Sequence, residues 1–245
     1  MSIAASTEGP PDIASSSHEY ASRFAGEVGQ YFLKVQQDAV AKAIAKQKNI
    51  SSVLEVGGGH CQLTDFYLNQ GFNVTIQGSN KLSLQRAKDL GFEKTTNLKV
   101  SPLMPLNFPD NSFDLVSGIR LMAHVDNWKY FLNEMLRVSR QGIVFDFANI
   151  YTLNILTPIL FTLKKKIESN TRPYSCQSVS EIKTHLKSIR CSEIVNIPQF
   201  VCPMGIHRIA KSAAFSSGIE TIFHSLKIDR LCGTPVIVFT KKSCI

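Results

Sequence analysis

One run of seven residues holds several chemically capable groups side by side: Glu55-Val56-Gly57-Gly58-Gly59-His60-Cys61. Glycines that follow an apolar strand let the backbone approach a ligand, and a helix starting there offers unpaired N–H groups. A glycine loop alone is common to many nucleotide-binding folds. Cys61 can be a thiolate activated by a helix N-terminus or a small packing residue, and packing is the expectation. His60 reads equally as a contact to a ligand carboxylate or as an exposed loop histidine. Arg120 is a candidate partner for an anion. Histidine's unperturbed pKa suits a general base at neutral pH, which makes His124 a candidate base, against the plainer reading of a histidine satisfied by backbone groups. Arg172 and Tyr174 flank Pro173, and an arginine there suits carboxylate or phosphate recognition. His207, next to Arg208, is a further substrate candidate. No carboxylate or histidine cluster has ligand spacing, so no metal is expected.

These residues need elements to position them. Residues 52–56 (SVLEV), 73–76, 98–100, 113–118 (FDLVSG) and 142–147 (GIVFDF) read as short apolar strands. Residues 63–69, 82–90 and 128–138 read as the helices between them. Strands alternating with helices imply βαβ units and a parallel, doubly wound α/β sheet with helices on both faces. Ligands on such sheets bind at the carboxyl ends of the strands. Residues 179–189 should be a helix. Residues 194–201 and 234–240 should be a C-terminal antiparallel strand pair, separated by a segment near 206–226. Upstream, 18–48 has apolar residues at three- and four-residue steps and forms a helical cap. Residues 1–17 are rich in Ser, Ala and Pro and are expected to be a flexible tail. Residues 151–245 supply a substrate lid and the last strands.

The chain has 245 residues, 44% hydrophobic and 19% charged, which excludes a disordered or fibrous protein. Six cysteines without a CxxC pair suggest reduced thiols in a cytoplasmic protein. No apolar run reaches the roughly 18 residues of a membrane span, and no secretory leader is expected. Of 27 Lys+Arg and 19 Asp+Glu, residues 1–150 carry 14 of each, so the whole net charge of +8 lies in 151–245. That favours an anionic metabolite, a phospholipid surface or RNA. RNA ranks low because no RNA-binding appendage or aromatic strand motif is present, and no DNA partner is implied. Residues 153–163 are apolar and precede Lys164–Lys166. They read as a lid or core helix, with a peripheral membrane contact as the alternative.

Glu55 with Gly57, Gly59 and Cys61, followed by Leu106-Asn107-Phe108-Pro109-Asp110-Asn111-Ser112-Phe113-Asp114-Leu115-Val116 and Leu121-Met122-Ala123-His124-Val125, resembles the class I S-adenosylmethionine-dependent methyltransferases (type 11-like) over roughly residues 50–150. YASRFAGEVGQYFLKVQ, PMGIHR and GTPVIVF resemble a bacterial subgroup of that family. The resemblance implies a single Rossmann-like domain over 18–245 with its cofactor-binding core at 50–150. It implies S-adenosyl-L-methionine as cofactor and methyl transfer to a small-molecule acceptor, apolar or anionic. Glu55, Gly57, Gly58, Gly59, Cys61, Gly78, Ser79, Asn80, Pro102, Leu103 and Arg120 would line the cofactor site. His124 would act in catalysis, and Arg172, Tyr174 and His207 would contact substrate. The chain departs from the family at two places. Gly78 stands where a ribose-binding acid is usual, and Ser101-Pro102-Leu103 where an adenine-side Asp is frequent. Each missing carboxylate removes a charge-assisted hydrogen bond of about 1.5–3 kcal/mol, which Gln77, Ser79 or Asn80 could replace with neutral groups. The alternative is a non-catalytic or weakly cofactor-binding module acting through its basic C-terminal part.

Overall fold

The computed structural model describes residues 10–152 and 175–243. Their strands are β1 (Ser52–Val56), β2 (Asn73–Gly78), β3 (Asn97–Val100), β4 (Phe113–Gly118), β5 (Ser139–Asn149), β6 (Cys176–Gln177), β7 (Cys191–Phe200) and β8 (Thr234–Lys242). They form one eight-stranded sheet in the order β3-β2-β1-β4-β5-β8-β7, with β6 paired beside the end of β5. β1 to β5 are parallel, with Leu54 opposite Thr75 and Glu55 opposite Ser117. β8 runs antiparallel to β5, and β7 antiparallel to β8. This is the doubly wound, mostly parallel sheet with a late antiparallel pair. Strand order reverses between β1 and β4, so the ligand crevice of such a sheet lies at their carboxyl ends.

Side-chain alternation along the strands makes two cores. On one face, Leu54, Val56, Val116, Phe145 and Val238 pack against α6 (Trp128–Val138) through Phe131 and Met135. On the other, Val53, Val74, Leu115, Val144 and Phe239 pack with Tyr67 of α4 (Thr64–Asn69) and with Ala39, Val40 and Ala43 of α3 (Gly26–Ile44). α6 starts where the Asn127 side chain accepts the Tyr130 N–H at 3.1 Å. α7 (Val179–Ser188) starts at a capping box between Ser178 and Glu181.

Two side-chain knots fasten the loops. The Asp114 carboxylate accepts the backbone N–H and hydroxyl of both Ser51 and Ser52 and meets Arg140 at 3.1 Å. Burial acts to raise its pKa, but these bonds outweigh burial and hold it well below the usual carboxylate range. Arg137 on α6 donates to the carbonyls of Leu106 and Phe108 and to Asp110 and Glu134. The Leu-Asn-Phe-Pro-Asp block is thus pinned onto α6.

The segment expected as one helical cap is two helices, α2 (His18–Ser22) and α3, because Ala25 is extended and Gly26 takes φ +70°. Within the segment expected as a tail, Pro11–Ser15 form α1, with Asp12 buried, while residues 1–9 lie outside the described residues. β6 was missed because two residues carry no periodicity. The 206–226 segment holds α8 (Met204–Ala210) and α9 (Ala213–Ser225), followed by α10 (Asp229–Cys232). Gly218 in α9 is exposed, with nothing within 4 Å of where a Cβ would stand. Gly218→Ala should stabilise the fold by about 0.5–1 kcal/mol through helix propensity, read as a higher urea midpoint with unchanged slope.

Candidate functional site

β1 ends in the glycine loop. Glu55 is 3% exposed and accepts the Thr64 hydroxyl at 2.6 Å. Burial pushes its pKa up to about 7; the Thr64 bond works against this and Asp65 adds to it. Gly57 turns left-handed at φ +59°, Gly58–His60 make one 3-10 turn, and Cys61 returns at φ +57°. A Cβ on Gly58 would stand 2.6 Å from the Glu55 Cβ, and one on Gly59 would overlap the Ser83 carbonyl oxygen. These two glycines therefore serve the loop's own packing, whereas the sequence suggested ligand approach.

His60 is neither exposed nor available as a base. Its ring faces the Ile119 carbonyl through Nε2 at 3.2 Å, and its Nδ1 accepts the Gln62 N–H at 3.1 Å. Burial pushes its pKa down to about 4, so it is a neutral bridge between the loops after β1 and β4. Burial pushes the Cys61 thiol up to about 12, with Glu55 adding to the rise. The thiol stays protonated, which fits packing rather than nucleophilic chemistry.

At the end of β2, Gln77 is fully buried. Its Oε1 accepts the Gly57 N–H at 3.2 Å, and its Nε2 donates to the carbonyls of Ser101 at 2.6 Å and Pro102 at 3.1 Å. One amide thereby ties the loops after β1 and β3 to the end of β2. A Cβ on Gly78 would overlap the Ser83 hydroxyl and approach Leu84 Cγ to 2.8 Å, so a side chain there requires Ser83 and Leu84 to shift. The Ser79 N–H and hydroxyl both donate to the Asp12 carboxylate, each at 2.6 Å. Asn80 accepts the Ser83 N–H at 2.9 Å and closes a local turn. Pro102 contributes its carbonyl, while the Leu103 side chain is part of the core.

A second polar group forms at the ends of β4 and β5. Arg120 sits at φ +61°. Its N–H donates to Asp146 at 2.6 Å and its Nε to Gln36 at 3.2 Å. Its guanidinium lies over the Phe24 ring at 5.5 Å, and its Nη2 is buried without a hydrogen-bond partner. Burial raises the Asp146 pKa, while Arg120 and His124 oppose the rise. His124 is exposed on the turn Met122–His124 and lies within electrostatic reach of Asp146. Tyr20 on α2 feels the charges of Arg120 and Asp146. The structure thus brings together Arg120 and His124, which the sequence offered, with Asp146, Gln36 and Tyr20, which it did not. Two signals were present: Asp146 is a lone acid in an apolar strand, and Gln36 interrupts the apolar face of α3.

His207 is 0% exposed, which corrects its reading as a substrate contact. Its ring packs against Phe32 and Phe200, and its Nε2 meets Glu220 at 3.0 Å. Glu220 also accepts the N–H groups of Val201 and Cys202, each at 2.9 Å. Glu220→Ala should destabilise the protein by about 2 kcal/mol, because these donors lose their acceptor; a lower urea midpoint checks it. Arg172, Tyr174 and residues 153–166 lie outside the described residues. Among the described residues no helix is long and apolar enough to cross a membrane.

Residues 54–145 match the family described as "Methyltransferase domain". Ajmaline N-methyltransferase of Rauvolfia serpentina is 23% identical over 183 residues, 71% of this chain and 58% of that protein. Cycloartenol-C-24-methyltransferase of Arabidopsis thaliana is 30% identical over 149 residues, 55% of this chain and 44% of that protein. The chain spans about half the length of these curated relatives. Among solved structures, magnesium protoporphyrin IX methyltransferase from Synechocystis PCC 6803, with bound SAH, aligns with TM-score 0.59 at 12% identity, covering 95% of this chain and 100% of that one.

Proposed function

We propose that this chain carries a class I S-adenosylmethionine-dependent methyltransferase domain and transfers a methyl group to a small-molecule acceptor, apolar or anionic. The observation that carries the reading is the glycine loop at the β1–β4 switch point, inside the stretch matched by the methyltransferase family. When bound, the cofactor supplies an electrophilic methyl on a sulfonium.

The residues around the loop suit the zwitterionic amino-acid end of such a cofactor. Glu55, buried with a neutral hydroxyl partner, would hold the ammonium. Arg120, with a buried Nη2 to spare, would hold the carboxylate. Both border the same loop, since Arg120 acts electrostatically on His60 and Glu55 on Cys61. Gly57, Gly58, Gly59 and Cys61 shape that cradle. Gly78, Ser79, Asn80, Pro102 and Leu103 form its far side. The chain's task is to hold the acceptor in line, and much of the acceleration comes from such positioning. His124 would take the proton of a hydroxyl acceptor. The relatives named for ajmaline and cycloartenol support an acceptor with an apolar body. Unpaired Cys61, Cys176, Cys191, Cys202 and Cys232 fit a reducing, cytoplasmic setting.

Calorimetric titration of S-adenosylmethionine and S-adenosylhomocysteine tests the reading. Micromolar binding of either is expected, and no binding at millimolar concentration would overturn it. Arg120→Met should weaken S-adenosylhomocysteine binding about tenfold and leave 5′-methylthioadenosine, which lacks the carboxylate, unchanged. Equal losses for both ligands would remove Arg120 from the carboxylate role. Gly78, which offers no carboxylate at the end of β2, favours a second reading: a weakly binding, non-catalytic module acting through its basic C-terminal part.

A further inference from the structure

We propose that α1 occupies the crevice the cofactor needs, so that Asp12 sets cofactor affinity by competing for Ser79. The proposal rests on the methyltransferase reading above and adds a residue that reading does not use. α1 touches both rims of the crevice. On the β2 side, the Asp12 carboxylate takes the Ser79 N–H through Oδ2 and the Ser79 hydroxyl through Oδ1, each at 2.6 Å. On the β1 side, the Asp12 Cβ lies 3.5 Å from where a Gly57 Cβ would stand, and the Ser16 Cβ 3.3 Å from where a Gly59 Cβ would stand. The Ser16 hydroxyl also lies 3.4 Å from the Leu82 carbonyl.

Asp12 is 0% exposed. The Cβ sides of Gly57 and Gly59 face Leu121 and Ser83 first and the chain's own N-terminal segment next. The outermost donors of the β2 end are already taken by a carboxylate. A ligand reaching across from the glycine loop to Ser79 must break both bonds and move the helix. α1 is five residues long, too short to be stable by itself. It depends on such contacts with the rest of the fold, so a ligand that takes Ser79 from Asp12 can displace it. The apparent affinity of such a ligand falls by the fraction of molecules whose crevice is open.

The test is calorimetric titration of S-adenosylhomocysteine into the wild-type chain and Asp12→Ala, with hydrogen exchange of residues 10–16 measured on the wild type with and without ligand. Asp12→Ala should bind tenfold or more tightly, because two charge-assisted bonds no longer hold the helix down. Saturating ligand should speed exchange in residues 10–16. The exchange result needs no variant, so it stands even where Asp12→Ala folds poorly. Weaker binding by the variant, with slower exchange at 10–16 on saturation, would make Asp12 part of the binding site and overturn the competition. Unchanged affinity would overturn it too. Both of those outcomes leave the methyltransferase reading intact. Absence of binding by both proteins at millimolar ligand overturns that reading and this one together.

Discussion

Gly59→Ala should lower the unfolding temperature by roughly 8–16 °C, a loss of about 4 kcal/mol in a chain of this size. The added methyl would overlap the Ser83 carbonyl oxygen, a backbone atom that no side-chain rotation can move. Relief requires the loop after β1 to separate from the turn before α5 (Gln85–Asp89). That separation strains the Cys61 N–H bond to Gly58 at 2.8 Å and the Arg86 bond to the His60 carbonyl at 3.2 Å. It also disturbs the seat of Ser16. Gly218→Ala is the companion measurement, since the same substitution in open space should raise the unfolding temperature. A Gly59→Ala protein melting within about 3 °C of wild type would show that the two loops are not packed as described.

Glu55→Gln should stabilise the protein at pH 8 by about 3 kcal/mol more than it does at acid pH. The Glu55 pKa is raised from 4.5 to about 7, chiefly by burial. The folded state therefore binds the Glu55 proton more tightly than the unfolded chain does. Stability is lost as pH rises from about 4.5 to about 7 and is level above that. A shift of this size corresponds to about 3 kcal/mol at 1.36 kcal/mol per pKa unit. Glutamine keeps an acceptor for the Thr64 hydroxyl and carries no charge to desolvate. Urea unfolding of both proteins at pH 5 and pH 8 checks this; an equal difference at the two pH values would contradict it. In the proposed function the same group explains why the cost is tolerated: a cationic ammonium beside Glu55 would offset the desolvation of its carboxylate. Glu55→Gln should then trade cofactor affinity for stability.

Much of the scaffold was legible in the residues. Apolar runs of five or six with glycine after the first marked β1 and β4, and the boundaries of β4 and α6 agree with their sequence ranges. Strands alternating with helices determined a doubly wound sheet, because a parallel pair needs a crossover between its strands. The polar ends of β5, β7 and β8 were not legible, since those residues pair across the sheet without an apolar signature.

The site was legible in outline only. Residue type and spacing picked out Glu55, the glycines and Arg120, because strand-end acids and glycine turns are local features. Tertiary structure decided what each one does. Glu55 is strongly shifted only because the fold buries it. His60 is neutral because Ile119 and Gln62 meet its two nitrogens. Gly78 stands where the Ser83 and Leu84 side chains pack closely, so an acid there would displace them. Asp12 in a Ser- and Pro-rich segment has every local mark of a tail, yet it is buried through two hydrogen bonds to a residue 67 positions away. Local patterning sets which strands and turns form. Burial and long-range hydrogen bonding decide which groups are charged, which are spent on packing, and what lies over the crevice.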